Sequence, residues 1–340
     1  MILAADIGGT NTRLALFDDA GTLTGLREYR SQDHADLTAI VRLYIADPDT
    51  AADPAARRPV DRACFAVAGP VQGDDGALVS RITNLKWTVE QRRLADTLGL
   101  PPAEVKVIND LAANASGIDA VGGSDLVTLQ PGDEQPGGRG IVSAGTGLGV
   151  GGAIWDGRRH LPCPSEGGHY SFGPRNELEC DLLHFLAGRE PDKFGGYVSW
   201  ERVLSGPGLW NLFAFHAARN IGVQSLVVPP DTAAGQAAKL VSEAGMAGTC
   251  DRAVKTLDLF VSLYGAAAGN VAIQYTAING LFVGGGIAPK ILPKLRGESF
   301  LAAFLDKGPM RDRLLKNVPV KVITDEHCAL RGAALVARQG

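Results

Sequence analysis

The sequence predicts an α/β fold of two domains, built from duplicated βββαβα units with a cleft between them. Three observations carry that expectation. First, Ile2 to Asp18, ILAADIGGTNTRLALFD, sets two apolar, β-prone arms around a polar turn, Asp6 to Arg13, and so reads as a strand–turn–strand hairpin. Second, Ile141 to Trp155, IVSAGTGLGVGGAIW, repeats that arrangement later in the chain, with Gly145-Thr146-Gly147 falling near Gly8-Gly9-Thr10. Third, 340 residues is the length of about two domains.

The first hairpin carries its own chemistry. Gly8 and Gly9 permit positive φ and leave no Cβ, so backbone N–H groups can approach an anion closely. Thr10 and Asn11 add short hydrogen-bonding side chains at the tip, and Asp6, at the end of the first arm, is placed to hold Mg²⁺ through water. Gly-Gly and Asn are also ordinary turn residues, and a single glycine-rich turn is weak evidence. The repeat shifts the balance toward one phosphate-facing hairpin per half.

Composition narrows the class. Hydrophobic residues at 45% and charged residues at 21% are ordinary for a soluble globular chain. A net charge of −4 gives no reason to expect nucleic acid or an anionic membrane as partner. No basic segment precedes the first strand, and no uninterrupted apolar run reaches the roughly 18 residues of a spanning helix. A cytoplasmic protein is expected. The five cysteines, Cys64, Cys163, Cys180, Cys250 and Cys328, include no CxxC pair and read as free thiols. Cys163, His169 and Cys180 match no zinc spacing.

Along the chain, a third extended run and a helix at Leu37, Ile40, Val41, Tyr44 and Ile45 follow the first hairpin. Ala46 to Pro59 reads as a surface connection, and Arg62 to Val67 as a strand ending at Gly69-Pro70. In Ile82 to Trp87, Asn84 and Trp87 are candidates for the cleft wall, against plain packing for Trp87 and a turn for Asn84. Asp251 to Ala277 has helical periodicity, and its run Gly265 to Gly269 suggests close packing of elements. Leu281 to Val283 is a buried strand leading to Gly284-Gly285-Gly286, where an adenine or ribose could lie flat on backbone. A last strand, Val320 to Ile323, and a helix from about His327 to Arg338 complete the chain.

Three further places carry polar chemistry. Val105 to Ala115, VKVINDLAANA, runs a short strand into Asn109-Asp110 and then a helix. Ligands of open α/β sheets sit beyond the carboxyl ends of strands, so a carboxylate there faces the cleft and is the best general base in the chain. Asn and Asp are equally favoured helix N-caps, which alone would explain both residues. Ser165 to Phe172, SEGGHYSF, puts Glu166 and His169 around two glycines, able to converge on one small polar ligand or to sit solvated on a turn. Glu201 follows Ser199, which can cap a helix, and then reads as a first-turn acid.

Two hairpins of this kind resemble the sugar-kinase, actin and heat-shock ATPase superfamily, whose actin-like ATPase (ribonuclease H-like) fold is thereby implied. More narrowly, the chain resembles the bacterial glucokinases nearly end to end, through ADIGGTNTRLAL, AGPVQGD, TNLKW, VINDLAA, SAGTGLGV, PSEGGHYSF, ERVLSGPGL, FVGGGI and DKGPM in that order. The resemblance implies an ATP-dependent glucokinase that forms glucose 6-phosphate, the first step of glycolysis, with Asp110 as catalytic base. It implies that Asn109, Glu166, His169 and Glu201 bind the sugar, and that Asp6 to Thr10, Gly145 to Gly147 and Gly284 to Gly286 bind nucleotide. It further implies ATP and Mg²⁺ as cofactors and a homodimer. The expected division is residues 1–110 with 322–340 in a small domain and 111–321 in a large one. The related repressor/ORF/kinase family carries a cysteine-rich zinc motif after its ExGH element, where this chain has Cys180 alone.

Two other classes compete. Gly147-x-Gly149-x-x-Gly152 fits the GxGxxG dinucleotide fingerprint literally, but that fingerprint opens a helix and AIWDGRRH continues as strand and turn. A sugar-sensing regulator on the same fold is expected to carry a helix-turn-helix ahead of the first strand, and here that strand begins at Ile2.

Overall fold

The structure, a computed structural model, describes residues 1–47, 59–82, 85–163, 165–229 and 231–339. Most of the Ala46 to Pro59 connection and the candidate Asn84 lie outside the described residues. The chain divides into two units, Met1–Asp125 with Asp325–Gly340, and Leu126–Thr324. These boundaries differ from 110/111 and 321/322, for physical reasons. The helix Asp110–Gly117 packs backbone to backbone on the helix Cys328–Gln339, so residues 111–125 stay with the first unit. A Cβ on Gly332 would stand 1.8 Å from the Ala113 carbonyl oxygen, and one on Gly117 would stand 2.1 Å from that of Cys328. Residues 322 and 323 complete a strand of the second unit's sheet.

In the first unit, β1 (Ile2–Ile7), β2 (Asn11–Phe17), β3 (Leu23–Arg30), β4 (Arg62–Val67) and β8 (Val105–Asn109) form one sheet in the order β3-β2-β1-β4-β8. Three short strands, β5 (Val71–Gln72), β6 (Val79–Arg81) and β7 (Thr88–Glu90), make a small sheet of their own. The period-2 alternation of β1 serves two cores, because helices cover both faces. Leu3, Ala5 and Ile7 share one cluster with Ile40, Val41 and Tyr44 of the helix Leu37–Ala46. Ile2 and Ala4 share the other with Ala329, Ala333 and Ala334 of the C-terminal helix. Trp87 packs in the first of these clusters, which is the plain packing role. Ile45, the last apolar residue of that helical pattern, is exposed.

The second unit holds β9 (Leu126–Gln130), β10 (Arg139–Ala144), β11 (Leu148–Trp155), β12 (His160–Cys163), β13 (Gly280–Gly284) and β14 (Val320–Ile323), in the order β12-β11-β10-β13-β14-β9. Setting aside the antiparallel edge strand β9, this repeats the first sheet. In each unit the first strand pairs antiparallel with the second and parallel with the fourth, and the fourth pairs parallel with the fifth. The duplication read from two hairpins therefore extends to whole sheets.

The 24-residue helix Asp251–Gln274 runs beside the second sheet. It ends at a Tyr275 cap, followed by Thr276 at φ 44°, so the helical pattern stops short of Ala277. By length and composition it could cross a membrane, but Leu257, Phe260, Val261 and Tyr264 are buried in this unit's core. Gly265 and Gly269 bring it onto the backbone of the helix Glu298–Leu305. A Cβ at these positions would lie 2.1 Å from the Phe300 oxygen and 2.5 Å from the Phe304 oxygen. Gly149 and Gly152 lie within strand β11, so the GxGxxG match opens no helix.

Candidate active site

In the first unit the sheet's parallel strands β1, β4 and β8 deliver their carboxyl ends to one edge, the edge at which such sheets bind ligands. The Ala68 N–H donates to the Ile7 carbonyl at 3.0 Å, tying the ends of β4 and β1 together. Asp6, next to last in β1, sits opposite Arg13 in the β1–β2 register. Enclosure by protein pushes its carboxyl pKa upward, and the Arg13 and His327 charges pull it partway back. Its carboxylate accepts no side-chain hydrogen bond among the described residues.

The turn beyond Asp6 is held rigidly. The Gly8 N–H donates to the Asn11 carbonyl at 2.9 Å, and a Cβ on Gly8 would stand 3.1 Å from that oxygen. Ser31, fully buried, pins the turn from the far end of β3. Its N–H donates to Thr10 O at 2.9 Å, its hydroxyl donates to Gly8 O at 2.9 Å, and Thr12 Oγ1 lies 2.9 Å from that hydroxyl. The Asn11 side chain donates to Glu28 at 2.9 Å.

At the end of β8, Asn109 is the N-cap of the helix Asp110–Gly117. Its Oδ1 accepts from Leu111 N at 2.9 Å and Ala112 N at 3.4 Å, while Nδ2 donates to Gly69 O at 3.2 Å. The capping role is therefore real, and it leaves the carboxamide one further N–H. Asp110 follows as the first helical residue, half-buried, with its Oδ1 2.9 Å from Leu111 N. A carboxylate in the first turn of a helix is stabilised in its charged form by the helix dipole.

The second unit places its glycine turns in the corresponding positions. Gly145 N donates to Gly147 O at 2.9 Å between β10 and β11. The turn after β13 folds onto it, since Gly285, at φ +81°, would put a Cβ 2.3 Å from Ala144 O. The buried hydroxyl of Tyr264 joins the two turns. It accepts from Ala144 N at 3.0 Å and donates to Gly284 O at 2.9 Å. The helix Gly206–Ala218 begins over the same place, with Gly206 N 2.8 Å from Gly145 O. A Cβ on Gly145 or Gly286 would meet nothing within 4 Å, so these peptides border open space in their own unit.

Glu201 and Gly168, the latter within the Glu166–His169 turn, meet at Leu148, the first residue of β11. Glu201 Oε2 accepts from Leu148 N at 3.0 Å, and a Cβ on Gly147 would lie 2.6 Å from the same oxygen. Gly168 packs on the other side of Leu148, where a Cβ would come within 1.9 Å of its carbonyl oxygen. Gly167 and Gly168 are buried, and Glu166 and His169 on either side of them are exposed. Ser199 makes no capping hydrogen bond, contrary to the cap reading; the residues after it form only a short turn, Trp200–Arg202. Ser205 is the cap here instead, its hydroxyl accepting from Gly208 N at 3.0 Å and donating to Glu201 O at 2.7 Å.

The structure thus gathers Asp6, Gly8, Thr10, Asn109 and Asp110 at one sheet edge of the first unit. It gathers Gly145, Gly147, Gly284, Gly285, Glu201 and the Glu166–His169 turn in the second. Sequence reading missed Tyr264 and Ser31. A tyrosine beside a run of five small residues was a usable signal for Tyr264; Ser31 had none.

Repeated sheets with a glycine turn after the first strand of each are the architecture of the actin-like ATPase fold, the class to which sugar kinases belong. A glucokinase family model matches residues 3–340. The chain is 38% identical over 353 residues to a glucokinase of Nostoc sp., covering 99% of this chain and 98% of that one. It is 36% identical over 339 residues to a glucokinase of Sinorhizobium medicae, covering 99% and 92%. Among solved structures, a glucokinase from an Antarctic psychrotroph superposes with TM-score 0.79 at 30% identity, covering 100% and 99% of the two chains. A ROK family glucokinase from Streptomyces griseus, solved with glucose and AMPPNP, shares the fold at TM-score 0.65 and 24% identity, covering 100% and 99%. The chain belongs to the glucokinase family, enzymes that phosphorylate glucose.

Proposed function

We propose that this chain transfers the γ-phosphoryl group of ATP to the 6-hydroxyl of glucose, with Asp110 as general base. The observation that carries the reading is the duplicated glycine turn, joined in the first unit by a carboxylate at the end of β8. Asp110 accepts the hydroxyl proton as that oxygen attacks phosphorus in line. In the Gly8 to Thr10 and Gly145 to Gly147 turns, the N–H groups beyond those of Gly8 and Gly145, which close the turns, face the nucleotide's phosphates and spread their charge. Gly284 to Gly286 lie along the nucleoside. Asn109, through its remaining N–H, and Glu166, His169 and Glu201 take sugar hydroxyls. Asn84 has the same role from its motif alone.

Mg²⁺ fits this arrangement. Among the described residues no group of three or more His, Cys, Asp or Glu could hold a metal, and Asp6 is a lone carboxylate without a side-chain hydrogen bond. One carboxylate acting through water, with phosphate oxygens completing the shell, is the usual protein share of a Mg²⁺ site. Bound there, the cation would neutralise charge on the phosphates. Homodimer assembly and a cytoplasmic location belong to the same reading and rest on the motif resemblance.

A site that gives each sugar hydroxyl a polar or charged partner predicts discrimination among hexoses, because a sugar lacking one hydroxyl leaves that partner unpaired. A coupled ADP-release assay with glucose, mannose, fructose and N-acetylglucosamine, with and without Mg²⁺, tests the reading. Glucose with Mg²⁺ is expected to give the highest kcat/KM. Equal turnover of all four sugars, or full activity in excess chelator, would refute the assignment.

A further inference from the structure

The Glu166–His169 turn closes on itself, with His169 N donating to Glu166 O at 3.0 Å and Tyr170 N donating to Gly167 O at 3.1 Å. Gly167 and Gly168 seat it on β11, where added Cβ atoms would lie 2.8 Å from Val150 Cγ1 and 1.9 Å from Leu148 O. At its entry the Ser165 hydroxyl accepts from Gly167 N at 2.9 Å. These bonds use the carbonyls of Glu166 and Gly167. The His169 carbonyl accepts instead from a side chain 28 residues on, the hydroxyl of Tyr197.

Tyr197 is 48% exposed, yet the chain around it is firmly placed. It follows a reversal through Gly195 and Gly196, at φ 55° and 79°, and its N–H donates to Phe194 O at 2.8 Å. Its own carbonyl accepts from Arg202 Nη1 at 2.8 Å. Arg202 is buried, with Nη2 donating to Leu186 O and Arg189 O at 3.0 Å and its guanidinium 4.1 Å from the Phe194 ring centroid. Beyond Tyr197 the chain pairs with the residues after the turn, Phe172 N donating to Val198 O at 2.8 Å and Trp200 N to Tyr170 O at 2.9 Å. Ser171 Oγ donates to the Tyr197 hydroxyl at 3.4 Å, leaving the phenolic proton for the His169 carbonyl.

A phenol at the surface adds little to the core, so the bond's main effect is local. It fixes the peptide that follows His169, and with it the direction in which the imidazole leaves the chain. We propose that Tyr197 is a positioning residue for the sugar, aiming His169 at one sugar hydroxyl before the sugar arrives. The inference rests on the reading of His169 as a sugar ligand. Through Arg202 the same short turn that carries Glu201 also holds Tyr197, so both sides of that ligand set depend on one segment.

Steady-state kinetics and Tm of Tyr197→Phe, His169→Ala and the double variant test it. Tyr197→Phe is expected to raise KM for glucose about fivefold, leaving kcat, KM for ATP and Tm near wild type. In the His169→Ala background the same change is expected to raise KM for glucose no further, because no imidazole remains to be aimed. An unaltered KM for glucose in Tyr197→Phe, a rise of equal size in both backgrounds, or a rise in both KM values with a lower Tm would overturn the positioning role. If His169→Ala itself leaves KM for glucose unaltered, the reading of His169 as a sugar ligand fails and this inference with it. If His169→Ala raises that KM and Tyr197→Phe does not, the positioning role alone fails.

Discussion

Tyr264→Phe removes one oxygen atom from the second unit and tests how its two glycine turns are held. The hydroxyl accepts from Ala144 N at 3.0 Å and donates to Gly284 O at 2.9 Å, with no exposure to solvent. Phenylalanine fills nearly the same volume, so the cost is the loss of partners for two buried backbone groups. Each unsatisfied buried group costs about 1–3 kcal/mol, so two cost roughly 2–6 kcal/mol in all. Urea denaturation should show that loss as a lower midpoint with an unchanged slope. Because the hydroxyl joins the turns after β10 and β13, KM for ATP should rise several-fold while KM for glucose stays put. A variant with wild-type stability and wild-type KM for ATP would refute the claim that this hydroxyl positions the turns.

Other expectations follow from single contacts. Gly168→Ala places a methyl 1.9 Å from Leu148 O, a backbone clash that must displace the Glu166–His169 turn; steady-state kinetics should show KM for glucose rising at least about tenfold with KM for ATP nearly unchanged. His216 is buried beside Thr256, and burial, with Arg252 and Lys255, pushes its imidazole from 6.5 down to about 4. The folded state therefore holds the ring neutral, so its share of stability is complete above about pH 6.5 and is lost as the unfolded chain takes up the proton on the way down to about pH 4. Tm measured across that window should fall less steeply in His216→Gln than in wild type. Gly332→Ala would drive a Cβ to 1.8 Å from Ala113 O and should lower Tm by several degrees, without changing KM for either substrate in the fraction that folds.

Much of the fold was legible because local pattern and tertiary role coincide. Arg62–Val67 and Val320–Ile323 are buried inner strands whose apolar runs have no other use, and the small residues around Gly265 mark a helix–helix contact. The duplicated hairpins were legible because each sets a short glycine turn between two apolar arms, a pattern local in the sequence. The edge strand β9 escaped notice, since its residues are only half-buried and pair antiparallel with a strand far along the chain. The contact between Glu201 and Leu148 spans 53 residues, and no local pattern encodes it. Asn109 shows the opposite limit: its capping bonds were predictable from type and position alone, but these say nothing about whether its remaining N–H meets a sugar. Ser199 was misjudged because a suitable cap residue does not guarantee a helix after it; only the short Trp200–Arg202 turn follows, and the longer helix starts after Ser205.

The carboxylate at the end of β8 is where the account is most exposed. Asp110→Asn keeps size and backbone hydrogen bonding while removing proton-accepting capacity, so glucose affinity measured by calorimetry should stay within a few-fold of wild type. In the coupled ADP-release assay kcat should fall by about 10²–10⁴, the usual contribution of a positioned general base. Turnover near the wild-type rate with glucose binding intact would contradict the role given to Asp110.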